Sequence, residues 1–270
     1  MKNRERYENG LFTLRFVGEE LKVRGVSIYD LSHCLLAIQR ILHKAHLSID
    51  DRLVKGAFPD KEERQSLALQ IGERRRESDA FALIPVLADP RIQEYLLKLA
   101  DYVFSGIVGY YVGDVMKRVK TEKDPNKQIF IGSIYTEVAN IVNRVDASGG
   151  VEAISLGAPA LGHPTIAAFD LESKDYLATL KSQYFLGDYQ HIRGRVYKLY
   201  PASKIVAIRR AGGRTVSIFL NDRDFDLIRY HRETNPLFQF SGRPRYQFGV
   251  ETKAISDFEA DHIVHIHDED

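Results

Sequence analysis

Cationic and aromatic side chains alternate in one stretch of the chain, in a pattern that could bind phosphates and nucleobases. The cations are Arg193, Arg195, Lys198, Lys204, Arg209, Arg210 and Arg214, and Tyr189, Tyr197 and Tyr200 lie among them. Cations neutralise phosphates and aromatic rings stack on bases, so this mixture favours a single-stranded nucleic acid as ligand. The alternative is a solvated positive surface, or one that docks on an acidic partner or on the acidic tail of the same chain.

The spacing within residues 191–200 predicts that these cations point away from the core. Side chains alternate between the two faces of a strand, which places Arg193, Arg195 and Tyr197 together on one face. The apolar or small residues between them then occupy the other face. We therefore predict a nucleic-acid-binding surface whose phosphate and base contacts come from Arg193, Arg195, Tyr197, Lys204, Arg209, Arg210 and Arg214.

The formal net charge of +1 conceals an uneven distribution. Residues 1–180 are almost neutral, with 24 basic and 25 acidic side chains. Residues 181–250 hold 13 basic against 5 acidic side chains, and residues 251–270 hold one lysine and seven acids. A neutral front, a basic block and an acidic tail set the predicted binding surface apart from the rest of the chain.

Two Glu-x-Lys triplets suggest a third function, a metal-dependent nuclease. They are Glu172-Ser173-Lys174 and Glu251-Thr252-Lys253. Such enzymes hold Mg²⁺ with carboxylates and use the lysine to assist the attacking water. Glu251 follows a strand-like run, and Asp222, Asp224 or Asp226 could supply the second carboxylate. The triplet is short and occurs often by chance, so a non-catalytic binding role is preferred.

Histidines occur at two places where a metal could bind. His265, His267 and Asp261 would share a strand face at the C-terminal end, and His43 and His46 lie three apart in a helical pattern. Chain ends fray, and histidines on a helix are usually exposed to solvent. We therefore expect no metal and no cofactor, since P-loop, nucleophile-elbow and His-Glu-x-x-His motifs are also absent from the sequence.

Composition indicates a globular protein of a reducing compartment. The 270 residues are 44% hydrophobic and 28% charged, and Cys34 is the only cysteine, so no intramolecular disulfide can form. Met1 to Gly10 lacks the apolar core of a secretory signal, and the uncharged run from Tyr102 to Gly113 is too short to span a membrane. A cytoplasmic protein without membrane contact is expected.

Periodicity predicts an α+β front half, about residues 1–150, that is built from hairpins and helices. The predicted elements are a hairpin at 11–27, a helix at 28–46, a hairpin at 66–86, and helices at 90–119 and 128–145. Gly106, Gly109 and Gly113 share one face of the helix 90–119 and imply close approach of another helix. Residues 151–164, rich in Gly, Ala and Pro, are predicted to be a linker.

The C-terminal half reads as three strands, a helix and two further strands. The strands are 191–200, 204–210, 214–220, 237–241 and 246–255, with a helix at 222–232 whose Phe225, Leu227 and Ile228 could plug a barrel. This order resembles the OB-type barrel, a five-stranded Greek key. We predict an OB-like barrel domain at 165–260 and a tail at 261–270 that is rich in Asp, Glu and His.

The front half resembles the opening of a family of uncharacterised bacterial proteins. The similarity lies in Val26-Ser27-Ile28 followed by Asp30 to Gln39, and in that family a βα module precedes a small C-terminal β domain. The resemblance implies a bacterial or phage-related origin, near defence or mobile-element genes, and carries over no catalytic residue. The alternative function is then a protein–protein interaction or self-association through the helix 90–119.

Overall fold

The computed structural model describes residues 10–53, 56–72, 80–87, 89–103, 111, 115–180, 183–210, 215–231, 236–248 and 256–266. It is a mixed α+β structure with two sheets, as predicted. The chain forms two compact units: Met1–Gln183 with Phe248–Glu251, and Tyr184–Gln247 with Thr252–Asp270. Among the described residues, no helix combines the length and apolar character that crossing a bilayer requires.

The first unit contains a five-stranded antiparallel sheet in the order β2-β3-β1-β4-β5. Its strands are β1 (Phe12–Val17), β2 (Leu69–Ile71), β3 (Ala80–Pro85), β4 (Ala153–Ala158) and β5 (His163–Phe169). β1 is central because it pairs with both β3 and β4. Alternate β1 side chains, Phe12, Leu14 and Phe16, are buried and form the core face of the sheet.

The described helices of the first unit include one long helix, against which three others pack. They are α1 (Leu21–Arg24), α2 (Ile28–Ile49), α3 (Lys61–Ser66), α4 (Pro90–Val103), α5 (Val115–Thr121), α6 (Pro125–Ser133), α7 (Tyr135–Val142) and α8 (Leu171–Leu180). α2 packs against α4, α6 and α7. Ile38 and Leu42 of α2 line the same small apolar cavity as Phe12 and Leu156, so α2 also covers the sheet.

The start of α2 confirms the predicted helix, and a side chain caps it. Ser27 is extended, and its side chain accepts a hydrogen bond from the Asp30 amide at 3.0 Å. A side-chain acceptor at this position satisfies one of the amides that the first helical turn leaves without a partner. The helix runs three residues beyond the predicted end, to Ile49.

The hairpin predicted at 11–27 is wrong in its second strand. β1 forms, but residues 21–24 make the short helix α1, and β1 takes its partners from distant segments. Lys22 pairs with Glu19 at 2.7 Å and Arg24 pairs with Glu20 at 3.1 Å, spacings that a helical turn brings together. Val23, which a strand would have buried, is 90% exposed.

The segment 151–164 is not a linker. It contains β4, whose pairing with β1 and β5 places it inside the sheet. Ile154, Leu156 and Ala158 are buried, so the alternation expected of a strand was present among the glycines and alanines. Pro159 and Gly162, two of the residues that suggested a linker, lie at a short 3₁₀ turn. The turn spans Pro159–Leu161, and Gly162 follows it with φ 79° before β5 begins.

The remaining front-half predictions are confirmed in part. β2 and β3 pair as predicted for the hairpin 66–86, although residues 61–66 are helical and the turn lies outside the described residues. The helix predicted at 128–145 is two helices, α6 and α7. Of the helix predicted at 90–119, α4 and the start of α5 are described, and Gly106, Gly109 and Gly113 are not.

The second unit is built from β6 (Tyr184–Leu186), β7 (Gln190–Tyr200), β8 (Ile205–Arg209), β9 (Thr215–Phe219), α9 (Asp222–Tyr230), β10 (Leu237–Gln247) and β11 (Asp257–Ile266). β7 to β11 pair in the order β11-β9-β8-β7-β10, and β10 pairs again with β11. The pairings therefore close a five-stranded ring in which only β9 and β11 run parallel. This is the element order predicted from the sequence.

The interior of the ring is aliphatic and aromatic. Ile192, Val206, Ile208, Val216, Ile218, Phe238, Phe240 and Phe258 form one buried cluster. Phe225 and Ile228 of α9 join it, as predicted for a plug, whereas Leu227 is 42% exposed. Because α9 contributes only one face, most of its remaining side chains are polar.

Two boundaries in this unit differ from the prediction. β10 continues to Gln247 as one long strand, and the last strand is β11 at Asp257–Ile266 rather than 246–255. Residues 261–266, predicted to be part of a tail, therefore pair with β10. Phe258, Ala260 and Ile263 of β11 are buried. Burial of these apolar side chains favours a strand here despite the acidic residues around them.

Candidate functional site

β7 presents its cations outward, as its alternation predicts. Arg193, Arg195 and Tyr197 are exposed, while Ile192 and Gly194 between them are buried. A register shift between Val196 and Lys198 marks a β-bulge, after which Lys198 and Tyr200 are also exposed. Strict alternation would have pointed Lys198 and Tyr200 into the core. The bulge shifts the register by one residue, so both side chains stay on the outer face.

β8 adds Arg209 to the same surface. Arg195 and Arg209 are direct partners in the antiparallel register, and the Arg209 guanidinium lies 4.5 Å from the centre of the Tyr197 ring. On the other side of β7, Arg193 donates from Nε to Gln239 Oε1 of β10 at 2.9 Å. We call Arg193, Arg195, Tyr197 and Arg209 the basic strand face.

Gly194 brings β7 and β8 close together at this point. A Cβ there would lie 2.8 Å from Ile208 Cδ1 and 3.0 Å from the Arg209 carbonyl oxygen, so a side chain would force the strands apart. The glycine lies between Arg193 and Arg195 in sequence. It therefore helps to fix the spacing of the two strands that carry the basic strand face.

The other predicted contact residues lie elsewhere. Lys204 is half-buried in the turn after β7, with its ammonium 3.4 Å from an Asp222 carboxylate oxygen and 5.3 Å from the Phe225 ring centre. It is therefore engaged by α9 rather than placed among the outward cations. Arg210 is half-buried just after β8, and Arg214 lies outside the described residues.

A further arginine of the second unit is used in packing. The Arg245 guanidinium lies between two aromatic rings, 3.6 Å from the Tyr184 centre and 3.8 Å from the Phe219 centre. It also lies 3.9 Å from Glu259. Stacking of this kind holds β6, β9 and β10 together at a half-buried position. A basic residue of the block 181–250 therefore need not belong to a binding surface.

The nuclease residues do not form a site in the described part of the chain. Glu172 and Lys174 lie on helix α8 rather than on a strand, and Lys174 Nζ donates to the Val145 carbonyl at 2.7 Å. Glu251 and Lys253 lie outside the described residues, as does His267. His265 packs against the rings of Phe238 and His231.

His43 and His46, predicted to be exposed, are both buried at 8% exposure. The second half of α2 is buried on more than one face because α4, α6 and α7 surround it. The sequence signal was present: Ile41, Leu42, Ala45 and Leu47 occupy several sides of this half of the helix rather than one stripe.

His46, Asp50 and Glu63 offer ligand atoms that all lie within 4.8 Å of one another. The Arg52 guanidinium occupies the middle of this group, donating to His46 Nε2 at 3.0 Å, Asp50 Oδ2 at 3.2 Å and Glu63 Oε1 at 2.5 Å. The hydrogen bond from Arg52, with a second from the Asp60 amide, lowers the pKa of Glu63 to about 2. A cation of the chain itself already fills the position that a metal ion would need, so the cluster is an ion-pair network.

Two other reactive groups are held inert by burial. Burial, with a smaller contribution from Asp30, raises the pKa of the Cys34 thiol to about 12, so the thiol stays protonated at neutral pH. Burial likewise raises the pKa of Tyr95 to about 12, and its hydroxyl lies 2.6 Å from His46 Nδ1. Neither group has the lowered pKa that a nucleophile requires.

Comparison with known proteins gives one weak likeness. No family model and no curated protein matches the chain. A solved structure of U. maydis replication protein A bound to ssDNA matches at 19% identity and a TM-score of 0.22, covering 32% of this chain and 66% of that chain. A likeness this weak does not bear on the ligand of the present protein, and the bacterial or phage-related origin stays a prediction.

Proposed function

We propose that the second unit binds single-stranded nucleic acid along the basic strand face. The observation that carries this proposal is the direct pairing of Arg195 with Arg209 across β7 and β8, beside the exposed ring of Tyr197. Two guanidinium groups at directly paired strand positions concentrate positive charge on this face. An anion that bridges them would interact favourably with both, and a phosphodiester supplies one at every nucleotide.

The aromatic side chains supply the second half of the recognition. Tyr197 is 59% exposed and Tyr200 is 41% exposed, with Lys198 Nζ lying 4.8 Å from the Tyr200 ring centre. Exposed rings beside cations allow bases to stack while the phosphates are neutralised, and such stacking tolerates any base. The proposed ligand is therefore a single strand bound with little sequence preference.

The position of this surface on the ring fits the same proposal. In small barrels with this element order, oligonucleotides bind on the face of the second and third strands. Arg209 ends β8, the second strand of the ring in sequence, and pairs with Thr215 of β9, the third. Arg195 and Arg193 extend the positive surface from there onto β7 and towards Gln239 of β10.

Fluorescence anisotropy with a labelled single-stranded oligonucleotide, in DNA and RNA forms, tests the proposal. Binding should weaken steeply between about 50 and 200 mM salt, since each phosphate contact contributes about −0.7 to the slope of log K against log salt. The double variant Arg195→Gln/Arg209→Gln should reduce that slope by about 1.4.

Arg223→Gln/Arg229→Gln is the matched control, because both are exposed arginines on α9 of the same unit. It removes the same two charges but should leave the slope almost unchanged. If the wild-type protein does not bind at low salt, or if the control lowers the slope as much as Arg195→Gln/Arg209→Gln does, the basic strand face is not a nucleic-acid site.

A further inference from the structure

A cavity of about 260 Å³ lies in the first unit, beside the second half of α2. Arg40, His43 and Lys44 of α2 line it together with Glu137 of α7 and the segment Gly56–Pro59, which includes Phe58. We call this the His43 cavity. Ligand pockets usually measure about 300–1,000 Å³, so this one suits a molecule smaller than a typical cofactor.

Gln39 determines which nitrogen of His43 carries the proton. The Gln39 Oε1 atom accepts from the Leu69 amide at 3.0 Å, which assigns Nε2 as the donor end of that side chain. Gln39 Nε2 donates to the Leu67 carbonyl at 2.9 Å and lies 3.0 Å from His43 Nε2. His43 Nε2 must therefore accept, and the neutral imidazole has its proton on Nδ1.

The Nδ1–H group of His43 then has no acceptor. His43 Nδ1 is buried and is without a hydrogen-bond partner in the described part of the chain. A buried donor left unpaired is energetically unfavourable. The imidazole and the Phe58 ring also pack nearly perpendicular to each other, with centres 5.4 Å apart, so the histidine is held in place while its donor remains unused.

Burial keeps this histidine neutral. Burial, with smaller contributions from the positive charge of Arg64 and from His46, lowers the pKa of His43 to about 4. The imidazole therefore presents a single N–H donor at neutral pH rather than a positive charge. The chemistry that complements such a group is an acceptor atom, such as an oxygen of a carboxylate or phosphate.

The charge of the cavity lining has the sign that such an acceptor needs. Lys44 Nζ donates to Glu137 Oε2 at 2.9 Å and to the Ser133 carbonyl at 2.7 Å, so the lysine and the glutamate compensate each other. Arg40 is exposed at the cavity, and no ion pair involves it among the described residues. One positive charge is thus left without a carboxylate.

We propose that the His43 cavity binds a small oxyanion-bearing molecule, whose oxygen accepts the His43 Nδ1–H while its charge pairs with Arg40. A guanidinium binds carboxylate and phosphate oxygens in pairs, so one ligand group can satisfy both side chains. Phe58 and Leu47 offer apolar contact to the remainder of the ligand. The site belongs to the first unit and is independent of the proposed nucleic-acid surface.

Long-range ¹H–¹⁵N spectra of the histidine rings in the full chain test this site directly. The protein is titrated separately with sodium acetate and sodium phosphate, with sodium chloride at matched ionic strength as the reference. We expect the His43 Nδ1 resonance to shift saturably with at least one of the two oxyanions and not with chloride. The more effective anion identifies whether the ligand group is a carboxylate or a phosphate.

Arg40→Gln should weaken the response at least tenfold without loss of folding, because Arg40 is exposed. Arg91→Gln, at another exposed arginine of the first unit, should leave it unchanged. The proposal is overturned if neither anion gives a saturable shift, if chloride gives the same one, or if Arg40→Gln binds as tightly as the wild type. None of these results depends on whether the chain binds nucleic acid.

Discussion

In the second unit, the arginines of β7 and β8 lie on the outward face of a sheet, whereas Lys44 of the first unit is held inside against Glu137. The Lys44 and Glu137 side chains are only 15% and 6% exposed, and each depends on the other. Arg195 and Arg209 face solvent with a like charge opposite. The buried pair maintains the fold, whereas the arginines of β7 and β8 lie where solvent reaches them.

Removing the partner of the buried lysine should destabilise the protein more than any other change considered below. Glu137→Gln leaves the Lys44 ammonium inside the protein without a negative charge, and removing one member of a buried pair typically costs about 3–5 kcal/mol. Urea unfolding followed by circular dichroism should show a correspondingly lower midpoint. A midpoint within error of the wild type would mean that water already solvates Lys44.

An exposed ring of the second unit should show the opposite behaviour. Tyr197→Ala should weaken binding of a single-stranded oligonucleotide by about 1–3 kcal/mol, because it removes a surface on which bases stack. Stability should change little, since the ring is largely exposed. Anisotropy measures the binding of the variant and urea unfolding measures its stability. Binding as tight as that of the wild type, or a large loss of stability, contradicts a binding role for Tyr197.

The neutral His43 predicts how stability depends on pH. Its folded pKa of about 4 lies below the value of 6.5 expected in the unfolded chain, so the unfolded state binds a proton first as the pH falls. Stability is therefore full above about pH 6.5 and is lost progressively down to about pH 4, by an amount on the order of 3 kcal/mol.

Urea midpoints measured between these pH values in wild type and His43→Gln check the assignment. The variant should be less stable at pH 7 but should lose less on acidification. If both proteins lose the same amount between pH 6.5 and pH 4, the carboxylates rather than His43 account for the dependence.

An exposed ion pair should contribute least to stability. Asp222→Asn removes the carboxylate that faces Lys204, but the Asp222 side chain is 82% exposed and water screens the pair. The loss should be below about 1 kcal/mol by urea unfolding. A loss as large as that of Glu137→Gln would remove the distinction between the charges of the two units.

The ring of the second unit was largely predictable because its signals are local. Gly212 and Gly213 separate two strand-like runs, and alternation along residues 191–200 gave the faces correctly. The strand at 257–266 was missed because acids and histidines surround its apolar residues. Its burial depends on pairing with β9 and β10, which adjacent sequence does not reveal.

The first unit was harder to predict because its contacts link distant segments. β1 pairs with β4, about 140 residues away, and glycine-rich sequence made β4 resemble a linker. The His43 cavity combines α2 with Gly56–Pro59 and with Glu137 of α7. No short pattern joins these positions, so neither the burial of His43 nor its unused donor could be read from spacing.

The closure of the ring by β11 has a consequence for how the protein is made. β11 supplies Phe258, Ala260 and Ile263 to a core whose other members lie between Ile192 and Phe240. During synthesis on a ribosome, that core stays open along β9 and β10 until residues 257–266 have left the exit tunnel. Until then, the nascent chain exposes apolar strands that neighbouring chains or chaperones can bind.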